Sequence, residues 1–187
     1  DCFHKAHDAL WNCAEREELW DEQVGGESPE VQHAIDLHQA VVEKAFELAQ
    51  DRGRIQVFPT FRYAHFAANE QTRVLQQPAV LSRLALFLMD MERHRGGGDA
   101  RRDAKPIVLG VDDEARETCT VVGVVAPNRE GYKERNSFGR CFREAVKHFP
   151  GMEVQLDGFD TEVIRIPAAS FQDFVQCIFD HHHQLTA

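Results

Sequence analysis

Apolar positions in the second half of the chain fall into a pattern that occurs twice: two strand-like runs followed by a stretch of helical spacing. The first copy runs from Pro106 to Gly110, from Thr118 to Ala126, and then as a helix from Asn136 to Phe149. The second runs from Met152 to Leu156, from Thr161 to Ile166, and then as a helix from Ala168 to about His183. A shift of 33 positions lays Ser137-Phe138 on Ser170-Phe171, Phe142 on Val175 and Val146 on Phe179. The copies differ at one place. Pro167 leads almost directly into its helix, whereas Pro127 is followed by the polar, mostly charged insertion Asn128 to Arg135. Insertions on a rigid scaffold are common seats of function.

The first half reads as helices. Phe3, Ala6, Leu10 and Ala14 form one stripe of a helix over residues 2–22, with Trp11 and Trp20 near it, and Gly25-Gly26 closes the unit. Ser28-Pro29 supplies an N-cap and a first-turn proline, after which Val31, Ile35, Val42, Phe46 and Ala49 recur at helical spacing until Gly53. Ile55 to Phe58 reads as a short strand, Pro59-Thr60 as the start of a helix through Gln77, and Pro78 as the start of another to about Arg95. The apolar set of that last helix (Val80, Leu81, Leu84, Ala85, Phe87, Leu88, Met91) covers more than one face, which places it centrally in the core. Gly96-Gly97-Gly98 and the polar run to Lys105 form a flexible connection. The fold class is therefore α+β: a helical N-terminal half, then two strand-strand-helix units whose strands form a small mixed or antiparallel sheet covered by helices. Regions 1–98 and 99–187 are expected to share one compact fold, with Ile55 to Phe58 adding a fifth strand.

Composition narrows the function classes. With 187 residues, 43% hydrophobic and 28% charged, the chain has enough apolar material for a globular core. The longest apolar candidate, Val80 to Met91, falls short of the roughly 18 residues that span a bilayer and is broken by Ser82, Arg83 and Asp90. The chain opens on Asp1-Cys2, so a leader peptide removed before this point is compatible with the sequence. Five cysteines (Cys2, Cys13, Cys119, Cys141, Cys177) form an odd set without a CxxC pair, which suits reduced thiols and a cytoplasmic location. The net charge of -10 is unevenly spread: residues 1–50 hold 12 acidic and 3 basic side chains, residues 92–147 hold 10 and 12, and residues 148–187 hold 6 and 1. That balance argues against extended nucleic-acid backbone binding, which needs uncompensated cations, and favours a protein partner.

Chemistry-bearing residues gather around the insertion. Cys141 falls near the start of a helix and is surrounded in sequence by Arg135, Arg140 and Arg143, a setting that favours thiolate; His148, His94 and His65 are the histidines that would serve as its base. The alternative is a small core residue beside Phe138, Phe142 and Ala145. Arg129, Lys133, Arg135 and Arg140, with backbone amides of the helix start, would suit an anionic ligand, although Glu130 and Glu134 cancel part of the charge. No GxxxxGK[ST] or GxGxxG pattern is present. Cys177 and His181 are an i,i+4 pair on one helical face, but consecutive histidines such as His181-His182-His183 point roughly 100° apart on a helix, so no metal site is assigned. The set Cys2, His4, His7 and Cys13 also lacks zinc spacing. Glu15, Glu17, Glu18, Asp21 and Glu22 would need Glu43 and Glu47 as a facing carboxylate pair, and both groups read as charged solvent faces. In residues 55–156 the order of elements is similar to that of acyl-CoA-dependent N-acetyltransferases, while Arg129-Glu-Gly-Tyr-Lys departs from their pyrophosphate-loop pattern.

The leading expectation is a non-catalytic protein-binding or regulatory protein of chaperone, toxin-neutralising or adaptor type, without a cofactor. It would contact its partner through the acidic helices, Trp11, Trp20 and the 128–140 loop. The alternative is a small transferase or thiol hydrolase with Cys141 as nucleophile, His148 as base and the basic loop holding an anionic group.

Overall fold

The computed structural model describes residues 29–51, 53–70, 72–95, 105–125, 136–149, 155–156 and 162–186. Six strands form one mixed sheet in the order β1-β2-β3-β4-β6-β5, where β1 is Gln56–Val57, β2 Arg62–Ala67, β3 Ile107–Asp113, β4 Thr118–Val124, β5 Gln155–Leu156 and β6 Val163–Pro167. Strands β2 and β3 are parallel, and the other pairs are antiparallel. The four α-helices among the described residues are α1 (Pro29–Gln50), α2 (Pro78–Arg95), α3 (Phe138–Val146) and α4 (Phe171–Thr186). None of them is long and apolar enough to cross a membrane. The α+β class and the two strand-strand-helix units are present, and their four strands do share a sheet with the Gln56–Val57 strand. The predicted helix over 2–22 lies outside the described residues.

Alternation along the strands divides the core into two layers. On β3, Ile107, Leu109 and Val111 face a cluster with Val41, Ala45 and Leu48 of α1 and Leu81, Leu84, Leu88 and Met89 of α2. Val108 faces the opposite cluster, which holds Phe138, Cys141 and Phe142 of α3 and Phe171, Phe174 and Ile178 of α4. Successive strand residues point to opposite faces, so a strand covered on both sides must be apolar at every position, as β3 is over Ile107 to Val111. The sheet is thus the middle of three layers. Each fully buried Phe adds about 2–3 kcal/mol of transfer free energy, and α3 and α4 supply Phe138, Phe142, Phe171 and Phe174 at 0% exposure.

Two expectations for the first half are corrected. Pro59-Thr60 does not open a helix; Arg62–Ala67 is a strand in parallel register with β3, followed by a 3-10 turn over Arg73–Gln76. Ala64 and Phe66 enter one layer while Phe61 and Tyr63 pack on the other, so tertiary burial on both faces outweighs the modest strand propensity of this Ala- and His-containing segment. In α1 the buried seam is Val41, Ala45 and Leu48, whereas Ile35 and Phe46 of the predicted stripe are 39% and 48% exposed. The helix carries a second apolar stripe, and packing against α2 uses the other one. The six-stranded sheet draws β1 and β2 from region 1–98 and the remaining strands from region 99–187.

Candidate functional site

The parallel pair β2 and β3 places its carboxyl ends side by side, the position at which open α/β sheets commonly carry ligands. Strand β3 is apolar until Asp112 and Asp113 end it, and β2 contributes His65 two residues before its own end. His65 Nε2 and Asp112 Oδ1 are 2.7 Å apart. The imidazole stacks on Phe171 of α4, with centroids 4.1 Å apart and an interplanar angle of 17°. Gln76 donates to the Asp112 carbonyl at 3.2 Å, fixing the strand end to the 3-10 turn. Cys119 lies opposite Asp112 in the β3/β4 register, and His65, Asp112 and Cys119 bring their ligand atoms within 4.8 Å of one another. Burial pushes the Cys119 thiol far above its ordinary range, and the Asp112 carboxylate adds to the effect. The imidazole and carboxylate form a hydrogen-bonded pair, but burial disfavours the Cys119 thiolate, so that Cys119 offers neither a nucleophile nor a ready thiolate ligand. In the sequence His65 is one of several histidines, and the Pro59-Thr60 start predicts helix where the strand that positions it lies.

Cys141 belongs to the core rather than to a site. It is 0% exposed among Phe138, Phe142 and Phe174, and desolvation pushes its thiol up to about 11 despite the opposing influence of Arg140. The His148 ring lies beside that of His181, with centroids 5.2 Å apart. At the start of α3 the amides of Phe138, Arg140 and Cys141 bond to the chain's own groups. Asn136 Oδ1 accepts from the Phe138 amide at 3.0 Å, Asn136 Nδ2 donates to the Gly123 carbonyl at 2.8 Å, and the amides of Arg140 and Cys141 both donate to Ser137 O. Arg140 is exposed on α3. Arg129, Lys133, Arg135, Trp11 and Trp20 lie outside the described residues. Glu43 is exposed, and Glu47 is engaged by Lys44 at 2.9 Å and by Arg54.

A second constellation stands where α3 and α4 run side by side. His148 follows the last turn of α3, and Cys177 and His181 lie one turn apart on α4; their ligand atoms are within 4.8 Å of one another. His181 Nδ1 lies 2.9 Å from the Cys177 carbonyl oxygen.

Compared with known protein families, residues 1–181 match the family model for CDC45. The cell division control protein 45 homolog of Dictyostelium discoideum is 22% identical over 146 residues, which are 78% of this chain and 21% of that protein. The crystal structure of CDC45 from Entamoeba histolytica is similar with a TM-score of 0.58 at 19% identity, covering 81% of this chain and 28% of that chain. This chain therefore spans about a quarter of the length of the relatives it matches. The family match overturns the expectation of a chaperone, toxin-neutralising or adaptor protein, and equally the transferase or thiol hydrolase alternative.

Proposed function

The chain belongs to the CDC45 family, and from that premise we propose that it forms part of a DNA replication initiation factor that works within the CMG helicase complex. In this reading the three-layer unit is a rigid scaffold, and its contribution is to present surfaces to protein partners. The observation that carries the proposal is the family match over residues 1–181.

The surface chemistry supports a protein-contact role. Ile35 and Phe46 of α1, Leu86 of α2 and Val57 of the edge strand are the large hydrophobic side chains exposed among the described residues. Three of the four lie on the two helices that cover one sheet face. Covering such side chains with a partner removes apolar area from water, at about 25 cal/mol per Å². The net charge of -10 supports contact through protein surfaces rather than along a phosphate backbone.

The test is assembly of the complex from purified components, using the full-length protein with Ile35→Asp and Phe46→Asp together. Both side chains are exposed, so the fold is expected to persist, as circular dichroism would report. Loss of at least tenfold in affinity for the remaining subunits, about 1.4 kcal/mol, is the expected result. Unchanged affinity would remove α1 from the contact surface.

A further inference from the structure

The cluster at the end of α3 has the chemistry of a transition-metal site. Cys177 and His181 share a face of α4 because they are one helical turn apart. That pair alone offers two ligands. The third comes from a different element: His148, exposed just beyond the α3 C-terminus, lies with its ring beside that of His181. With one sulfur and two imidazole nitrogens within 4.8 Å of one another, a small inward rotation of the exposed His148 reaches the ligand separations of about 3.3–3.8 Å set by tetrahedral zinc bonds.

Three neighbouring features favour a cation there. An Nδ1–H of His181 donating to the Cys177 carbonyl at 2.9 Å selects the tautomer whose Nε2 carries the free lone pair, and it fixes the ring's direction as backbone partners of metal-bound histidines do. The C-terminal end of α3 carries the negative end of its dipole next to His148. Glu144 on α3 and Asp180 beside His181 add negative potential, partly offset by Lys147 on Glu144 at 2.7 Å.

We propose that His148, Cys177 and His181 bind one zinc-type divalent ion through two imidazole nitrogens and a thiolate, with a water molecule in the fourth position, and that the ion clasps α3 to α4. The donor set suits zinc, whose sites mix sulfur and nitrogen ligands. On binding, the Cys177 S–H bond breaks, its proton passes to the buffer, and the sulfur electron pair forms the metal bond. Cys177 is partly exposed, unlike the sealed Cys119 and Cys141; burial, and then Asp180, hold its thiol above the ordinary value, a cost that the metal–sulfur bond must offset.

Cobalt(II) titration of the purified chain, followed by zinc competition, tests the proposal. The expected result is a thiolate-to-cobalt charge-transfer band that saturates at one equivalent, disappears in Cys177→Ser and is displaced by zinc. His148→Asn and His181→Asn should each weaken binding by at least about tenfold. Zinc should raise the melting temperature of the wild type and not that of His148→Asn, a readout independent of the spectrum. Three outcomes would overturn the proposal: no band in the wild type, a band that persists in Cys177→Ser, or binding lost in His182→Ala or His183→Ala while His148→Asn retains it. The last would assign the ion to the histidine run instead.

Discussion

Phe171 lies across Gly110 so closely that a methyl group there would stand 2.2 Å from the ring. Phe171 is the first residue of α4 and Gly110 the midpoint of β3, so the missing side chain sets how near helix and sheet approach. The ring is fully buried and has no free side to turn toward. Gly110→Ala is therefore expected to destabilise the fold by roughly 2–3 kcal/mol, read as a lower denaturation midpoint at unchanged slope. Combining it with Phe171→Leu should cost less than the sum of the two. Gly123 stands in the same relation to Phe138, at 2.4 Å, and Gly123→Ala should behave alike.

The thiols should divide by burial. In a Cys2→Ser, Cys13→Ser background, Cys177 should react with a thiol reagent in the native protein, while Cys119 and Cys141 should react only on unfolding. Desolvation holds the Cys141 thiol near 11 in the folded state, above its value of about 8.5 in the unfolded chain. The unfolded state then loses this proton first as pH rises. Stability from Cys141 is complete below about pH 8.5 and is lost as pH climbs to about 11. Denaturant midpoints should fall across that window, less steeply in Cys141→Ala.

Arg62 is a charged group in the core at 3% exposure. Its guanidinium pairs with Glu92 and donates to the Lys105 carbonyl at 3.2 Å, while desolvation draws its pKa below the ordinary value against the influence of Glu92. Glu92→Gln leaves a buried cation without its counter-charge and should cost about 2 kcal/mol in equilibrium unfolding. Arg62→Met should cost less, because it removes the charge together with its need for a partner.

His65 and Asp112 should show positive coupling. A double-mutant cycle with His65→Gln and Asp112→Asn is expected to return about 1 kcal/mol of interaction, since the pair is 2.7 Å apart and only partly exposed. A coupling of zero would mean that Phe171 stacking alone holds the imidazole.

The second half of the fold was legible because β3, β4 and β6 are rich in β-branched residues and its helices open on Asn-Ser-Phe and Ala-Ser-Phe. Strand β2 was hidden for the opposite reason: Arg62 to Ala67 holds no β-branched residue, and Pro59-Thr60 imitates a helix start. Helical spacing found α1 but not which of its two apolar stripes is buried, a choice made by α2. The pair Cys177 and His181 was visible as i,i+4 spacing, whereas His148 joins it only through the packing of α3 on α4. The family was not legible in motifs, in keeping with 22% identity to the Dictyostelium relative.

Hydrogen exchange of the full-length protein, alone and mixed with the other subunits of the proposed CMG assembly, tests the scaffold reading most directly. Amides of α1 around Ile35 to Phe46 and of α2 around Leu86 should exchange more slowly in the complex, while those of β3 and β4, already buried in the sheet, should not change. Unaltered exchange across α1 and α2 on assembly would contradict the assignment of this face to protein contact.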